Sequence, residues 1–180
     1  MPNKYNPKIH NRHSIRLPKY DYSQDGWYYV TLCVQGNKCL FGKFTDGRIQ
    51  LYQYGQIVDR CWKWLAQQYA YVHLDEYFVM PNHLHGIIII RRDCKGGSRT
   101  APTGNIPKYK SLSRLVGVFK TVSTKQVNII RNTPGRKLWQ RNYYEHIIRN
   151  EEELNHIRRY ITENPTNWRK DEENPDLRPT

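Results

Sequence analysis

His83 and His85 stand two residues apart, with Leu84 between them. Side chains alternate across an extended strand, so on a strand both imidazoles leave one face and Leu84 leaves the other. Neutral imidazole is the commonest metal ligand in proteins, and two of them on one rigid strand lose little entropy on binding an ion. The competing reading is that His-x-His arises by chance and the pair is structural. A third ligand and a reactive group must come from another part of the chain. Tyr160 and Asn164 lie four apart in a helical pattern, so they share one side of that helix, beside an apolar stripe of Leu154, Ile157 and Ile161. Both could look into a cleft between helix and sheet. His156, one turn before Tyr160, and Glu163 are rival ligands on the same helix, and spacing does not choose among them. With 14 tyrosines in the chain, Tyr160 also has a plain reading as an amphipathic residue at the helix edge.

The elements that must position these groups are legible in the patterning. From Trp27 the run WYYVTLCV is aromatic and β-branched, a strand signal, and Phe41 to Leu51 with a turn at Asp46-Gly47 reads as a hairpin. Ile57, Cys61, Trp62 and Leu65 fall at helical spacing over residues 55–69. The run HLDEYFVMPNHLHGIIII, residues 73–90, reads as two strands joined or bent at Met80-Pro81-Asn82. The second of these is apolar on both faces, which predicts a central strand. Residues 91–110 form a basic loop rich in Gly and Pro, and an amphipathic helix follows from Ser111 to about Arg131. Leu138 to Ile148 reads as a strand. Asn150 followed by Glu153 resembles a capping box, opening a last helix that Pro165 stops. This order predicts an α+β fold, an antiparallel sheet with helices packed on it. Residues 1–20 read as a basic arm, 21–168 as a single domain with 91–110 as its mobile loop, and 169–180 as a charged, frayed tail. No internal repeat or domain linker stands out.

Composition narrows the function classes. The chain has 180 residues, 29 Lys+Arg against 16 Asp+Glu, and a formal charge of +13. Hydrophobic residues are 38% and aromatics 13%, enough for one real core because each ring removes a large area from water. The longest aliphatic stretch, Ile87 to Ile90, is far too short for a membrane span, and the polar start lacks the apolar region of a secretion signal, so a soluble, cytoplasmic protein is expected. Cys33, Cys39, Cys61 and Cys94 are scattered with no C-x-x-C pair, which favours reduced thiols over a zinc knuckle or disulfide framework. The cationic excess favours a polyanionic partner, nucleic acid above all, through counterion release from many phosphate contacts. The chain has no G-x-x-x-x-G-K-[ST] phosphate loop, so no nucleotide cofactor is expected.

Three separated motifs carry a family resemblance. Phe78-Val79-Met80-Pro81-Asn82-His83-Leu84-His85-Gly86-Ile87, then Leu138-Trp139-Gln140-Arg141-Asn142-Tyr143-Tyr144-Glu145-His146-Ile147-Ile148-Arg149, then Tyr160-Ile161-Thr162-Glu163-Asn164-Pro165 closely resemble the REP-associated tyrosine transposases. These belong to the single-tyrosine HUH endonucleases, and the resemblance covers roughly residues 12–168. It implies a ferredoxin-like or RNA-recognition-motif-like fold with the His-Leu-His strand central. It also implies Tyr160 as nucleophile, His83 and His85 as metal ligands, and Asn164 as the third ligand. The implied ion is Mg²⁺ or Mn²⁺, although imidazole and amide donors alone would also admit Zn²⁺. The implied reaction is cleavage and rejoining of single-stranded, hairpin-associated DNA through a covalent 5′-phosphotyrosine, by a prokaryotic, cytoplasmic protein acting as a monomer or homodimer.

A phenol with a pKa near 10 needs a neighbouring cation or base before it attacks phosphorus, and Arg158, Arg159 or the ion could favour the phenolate. Some relatives carry an acidic residue just before the tyrosine where this chain has Arg158-Arg159. Candidate DNA contacts are Arg12 and Arg16 of the arm, Arg91, Arg92, Lys108 and Lys110 of the loop, Lys120 of the helix, and Arg141. The reading from another class is a non-catalytic, single-stranded nucleic-acid-binding module on the same fold. Replication initiators and conjugative relaxases share the chemistry but bring further domains.

Overall fold

The computed structural model describes residues 17, 20–92, 109–171 and 173–177. Strand β1 spans Gly26–Cys33, the hairpin strands β2 and β3 span Gly42–Thr45 and Arg48–Leu51, and helix α1 spans Gln53–Gln68. Strands β4 and β5 follow at Val72–Val79 and His83–Ile90, then helix α2 at Leu112–Ile130, strand β6 at Tyr144–Ile148 and helix α3 at Glu151–Glu163. The main sheet runs β4-β5-β1-β6, with every pairing antiparallel. With the small hairpin set aside, the order is β-α-β-β-α-β with β1 paired non-sequentially to β5 and to β6, the ferredoxin-like arrangement expected from the resemblance. The basic arm lies outside the described residues except at Leu17 and Tyr20, as does most of the 91–110 loop.

Alternation along the strands builds two cores. Tyr28, Val30 and Leu32 of β1, with Leu84, Ile88 and Ile90 of β5, face α1 and α2 and join Ile57, Trp62, Leu65, Leu115 and Phe119 in the larger core. Tyr29 and Ile87 leave the opposite face and pack with Ile148 against the stripe of Leu154, Ile157 and Ile161 on α3. A sheet covered on both faces explains why β5 reads apolar throughout. Gly86 is needed where the sheet meets α1, because a Cβ there would lie 2.5 Å from Cζ2 of the fully buried Trp62. The hairpin turn uses positive φ at Asp46 and Gly47, 53° and 75°, the pairing that suits a tight two-residue connection.

Two expectations are corrected. Only Tyr144–Ile148 forms a strand within 138–148, and Trp139 instead makes an isolated bridge to Val34 while burying its ring against Phe41 and Phe119. The chain after Arg169 does not fray at once. Trp168–Lys170 and Pro175–Leu177 are short 3₁₀ turns, and Trp168 and Asn174 are buried.

Candidate metal centre and nucleophile

Strand β5 begins at His83, and its register sets Thr31 beside His85 and Cys33 beside His83. Because paired residues of antiparallel strands share a face, both imidazoles emerge on the α3 side of the sheet, next to Tyr29 and Thr31. They are almost fully buried, and their Nε2 atoms lie 2.9 Å apart. Burial holds the His83 imidazolium off until pH falls to about 3, and burial together with the neighbouring His83 pulls His85 well below its ordinary value. Both rings are therefore neutral near pH 7, as metal ligation requires.

The second contacts of each ring differ in kind. His83 Nδ1 meets Asn82 Oδ1 at 2.8 Å, whereas His85 Nδ1 lies 2.8 Å from the Tyr29 hydroxyl and 2.9 Å from Thr31 Oγ1. Amide oxygen only accepts, but hydroxyls both donate and accept. His83 must therefore carry its proton on Nδ1, while His85 can move its own. Asp171 reaches the pair from beyond α3. Its Oδ2 lies 3.8 Å from His83 Nε2, and its side chain is only 5% exposed. His83, His85 and Asp171 form a compact set of potential ligand atoms.

The set fits a divalent cation. Two nitrogens bound at about 2.1 Å to one ion, roughly at right angles, stand about 3 Å apart, close to the spacing seen between the rings. Asp171 Oδ2 and Asn164 Oδ1 are buried oxygens without a hydrogen-bond partner among the described residues, and both residues line the cavity that His85 lines. An unsatisfied buried acceptor costs on the order of 1–3 kcal/mol, which a cation would offset. Spacing could not have found Asp171, which lies beyond the end of α3 in a segment with no periodic pattern. The weak signals were Pro165, which ends the helix, and Trp168, an apolar anchor in a charged stretch.

Helix α3 places Tyr160 over this centre. Asn150 Oδ1 accepts from Glu153 N at 2.8 Å to open the helix, but the Glu153 carboxylate turns to Arg149 N at 2.8 Å and His146 Nε2 at 2.6 Å, so the capping box is only half made. The apolar stripe seats α3 on the sheet, and the Tyr160 ring stands edge-on to His85, centroids 5.4 Å apart. It is also 6.3 Å from the Tyr29 ring. Tyr160 is 46% exposed, so its ring lies against the buried His85 on one side and opens into a cavity of about 740 Å³ on the other. That cavity is lined by Tyr29, Thr31, His85, Tyr144, Tyr160 and Asn164 among others. His156 lines its wall as well, whereas Glu163 is exposed and does not line it.

Several cations are committed elsewhere. Arg158 is tied to another strand: its Nε and Nη2 grip Asp75 of β4 at 2.9 and 2.6 Å. Arg159 is exposed. The Lys120 ammonium donates to the carbonyls of Gln140 and Asn142 at 2.9 and 3.2 Å and sits over the Tyr143 ring. Arg92 pairs with Asp25 at 3.1 Å and covers Tyr109, and Lys110 Nζ lies over Tyr69. Arg91 and Arg141 are exposed, and Arg12, Arg16 and Lys108 lie outside the described residues. A second cavity of about 840 Å³ is lined by neutral residues such as Trp139 and Ile129 and by Lys120, Lys125, Arg136, Lys137 and Arg141, with no Asp or Glu among the described residues. Among the described residues no helix is long and apolar enough to cross a membrane.

No family model matches the chain. An uncharacterised protein of Haemophilus influenzae is 38% identical over 178 residues, covering 96% of this chain and 98% of its own. A REP-associated tyrosine transposase, solved bound to a REP hairpin, superimposes with a TM-score of 0.58 at 17% identity, over 87% of this chain and 74% of that one. By sequence, then, the chain belongs to one family with the Haemophilus influenzae protein, and by fold it is built as that REP-associated tyrosine transposase is.

Proposed function

We propose that this protein is a transposase-like enzyme that cuts and rejoins single-stranded DNA beside a hairpin, with Tyr160 as its nucleophile. One observation carries the reading: the phenol of α3 and the His85 imidazole of β5 line one open cavity, their rings 5.4 Å apart, with His83 directly behind His85. The Tyr160 oxygen attacks phosphorus and loses its proton. The bond from phosphorus to the 3′ oxygen breaks, and that oxygen leaves as a hydroxyl. The 5′ phosphate stays on the tyrosine until a 3′ hydroxyl attacks it in reverse. One phosphodiester replaces another, so no nucleotide hydrolysis is needed, in keeping with the missing phosphate loop. A divalent ion, Mg²⁺ or Mn²⁺, would neutralise charge on the phosphate in the transition state, and His83, His85 and Asp171 are the residues that would hold it, with Asn164 beside them. The neutral imidazoles are ready to ligate without first losing protons.

The DNA partner is supported by the charge of +13 and by the second cavity, whose charged lining residues are all cationic and where Arg141 and Lys125 are exposed. Phosphate contacts supply most affinity for single strands, and exposed rings such as Tyr144, at the mouth of the first cavity, add stacking.

The test uses a pool of labelled DNA hairpins with randomised single-stranded flanks, incubated with Mn²⁺ and resolved under denaturing conditions. A covalent protein-DNA adduct is expected, absent with Tyr160→Phe and reduced at least 100-fold with His83→Ala. Tight hairpin binding with no adduct under any condition would overturn the reading in favour of a binding module.

A further inference from the structure

Asn82 stands immediately before the first histidine and is fully buried. Every polar atom of its side chain is engaged. Nδ2 donates to the Glu173 carbonyl at 2.6 Å and to the Asn37 carbonyl at 3.2 Å, while Oδ1 faces His83 Nδ1 at 2.8 Å. Two carbonyls can only accept, so the amide has one permitted orientation. That orientation forces an acceptor onto His83 Nδ1, which must then carry the proton and leave the Nε2 lone pair facing His85 and Asp171.

The same amide holds the far end of the chain. Glu173 lies two residues beyond Asp171, whose Oδ1 accepts from Glu173 N at 2.7 Å. Asn174 continues the fastening by donating to the Trp168 carbonyl at 3.1 Å, and the Trp168 ring lies 6.1 Å from His83. Asp171 thus reaches the imidazoles on a short segment that sheet pairing does not secure. We infer that Asn82 is a positioning residue that assembles the metal centre, setting the His83 tautomer with its oxygen and clasping the Asp171 segment with its nitrogen. This rests on the metal-binding half of the functional reading, and its readouts do not require DNA cleavage.

Asparagine can be split into its two roles. Asn82→Asp keeps an acceptor for His83 Nδ1 but sets a carboxylate oxygen against two carbonyls, whereas Asn82→Ala removes both functions. Histidine ¹⁵N–¹H correlation spectra of the metal-free protein read the tautomer, trypsin cleavage after Arg169 and Lys170 reads the segment, and titration with Mn²⁺ alone reads the centre. The wild type should show His83 protonated at Nδ1 and a protected segment. Asn82→Asp should keep that tautomer and become trypsin-sensitive. Asn82→Ala should lose both, with Mn²⁺ affinity falling roughly 10- to 100-fold, the usual effect of removing a partner behind a ligand. A wild-type His83 protonated at Nε2 would overturn the inference without any variant. So would an Asn82→Ala protein with protected termini and Mn²⁺ affinity within twofold of wild type.

Discussion

The tie between Arg158 and Asp75 bears directly on the chemistry proposed for Tyr160, because Arg158 sits two residues before Tyr160 and Asp75 lies on the edge strand β4. Two charge-assisted hydrogen bonds, at 2.9 and 2.6 Å, join a guanidinium to a carboxylate whose side chain is only 14% exposed. Such bonds contribute roughly 1.5–3 kcal/mol when well buried, but the Arg158 side chain is 37% exposed, so solvent screening brings the expected coupling to about 1–2 kcal/mol. In a chain of this size that corresponds to a loss of roughly 2–8 °C in melting temperature. A double-mutant cycle of Arg158→Met and Asp75→Asn in urea measures it.

The pH dependence follows from Asp75. Hydrogen bonding to Arg158 holds its carboxyl below the ordinary value, so the contribution is complete above the unfolded pKa of about 3.9 and disappears as pH falls through the lower folded one. Coupling should be flat from pH 5 to 7 and decline below about pH 4. Loosening α3 should also slow adduct formation at Tyr160 by about tenfold, with hairpin affinity unchanged. A coupling below 0.3 kcal/mol at pH 7, or one that survives undiminished at pH 2.5, would refute this account of how the helix is held.

Gly86→Ala should destabilise the fold by about 1–3 kcal/mol in urea, since the new methyl meets the buried Trp62 indole at 2.5 Å, and should weaken Mn²⁺ binding because the displaced strand carries His85; unchanged values for both would contradict the packing described. Lys120 gives a second pH signature, of the same sense but at the alkaline end. Burial draws its ammonium down to about 8 from 10.5, so the folded state sheds the proton first and stability rises across that interval by at most about 1.4 kcal/mol per pH unit. The stability difference between wild type and Lys120→Met should grow from pH 8 to 10, and a flat or falling difference would rule the burial effect out.

The parts of this protein that were legible in its sequence are those set by local repetition. Strand alternation put His83 and His85 on one face, four-residue spacing put Tyr160 and Asn164 on one side of α3, and the stripe of Leu154, Ile157 and Ile161 marked the side of α3 that is buried. The turn at Asp46-Gly47 and the Asn150 cap are equally local, each a matter of backbone sterics or of one side chain reaching the next turn. Tertiary structure decided what each face meets. A periodic stripe says that a helix buries one side, but not which face of the sheet receives it, and α3 covers the face opposite α1 and α2. Arg158 and Lys120 read as free cations because nothing in their neighbourhood announces Asp75, 83 positions away, or the carbonyls of Gln140 and Asn142. Asp171 was hidden for the same reason. Its place beside the imidazoles depends on Asn82 meeting Glu173 across 91 positions of chain, a contact that burial and hydrogen-bond satisfaction select only after the sheet and its helices have closed around it.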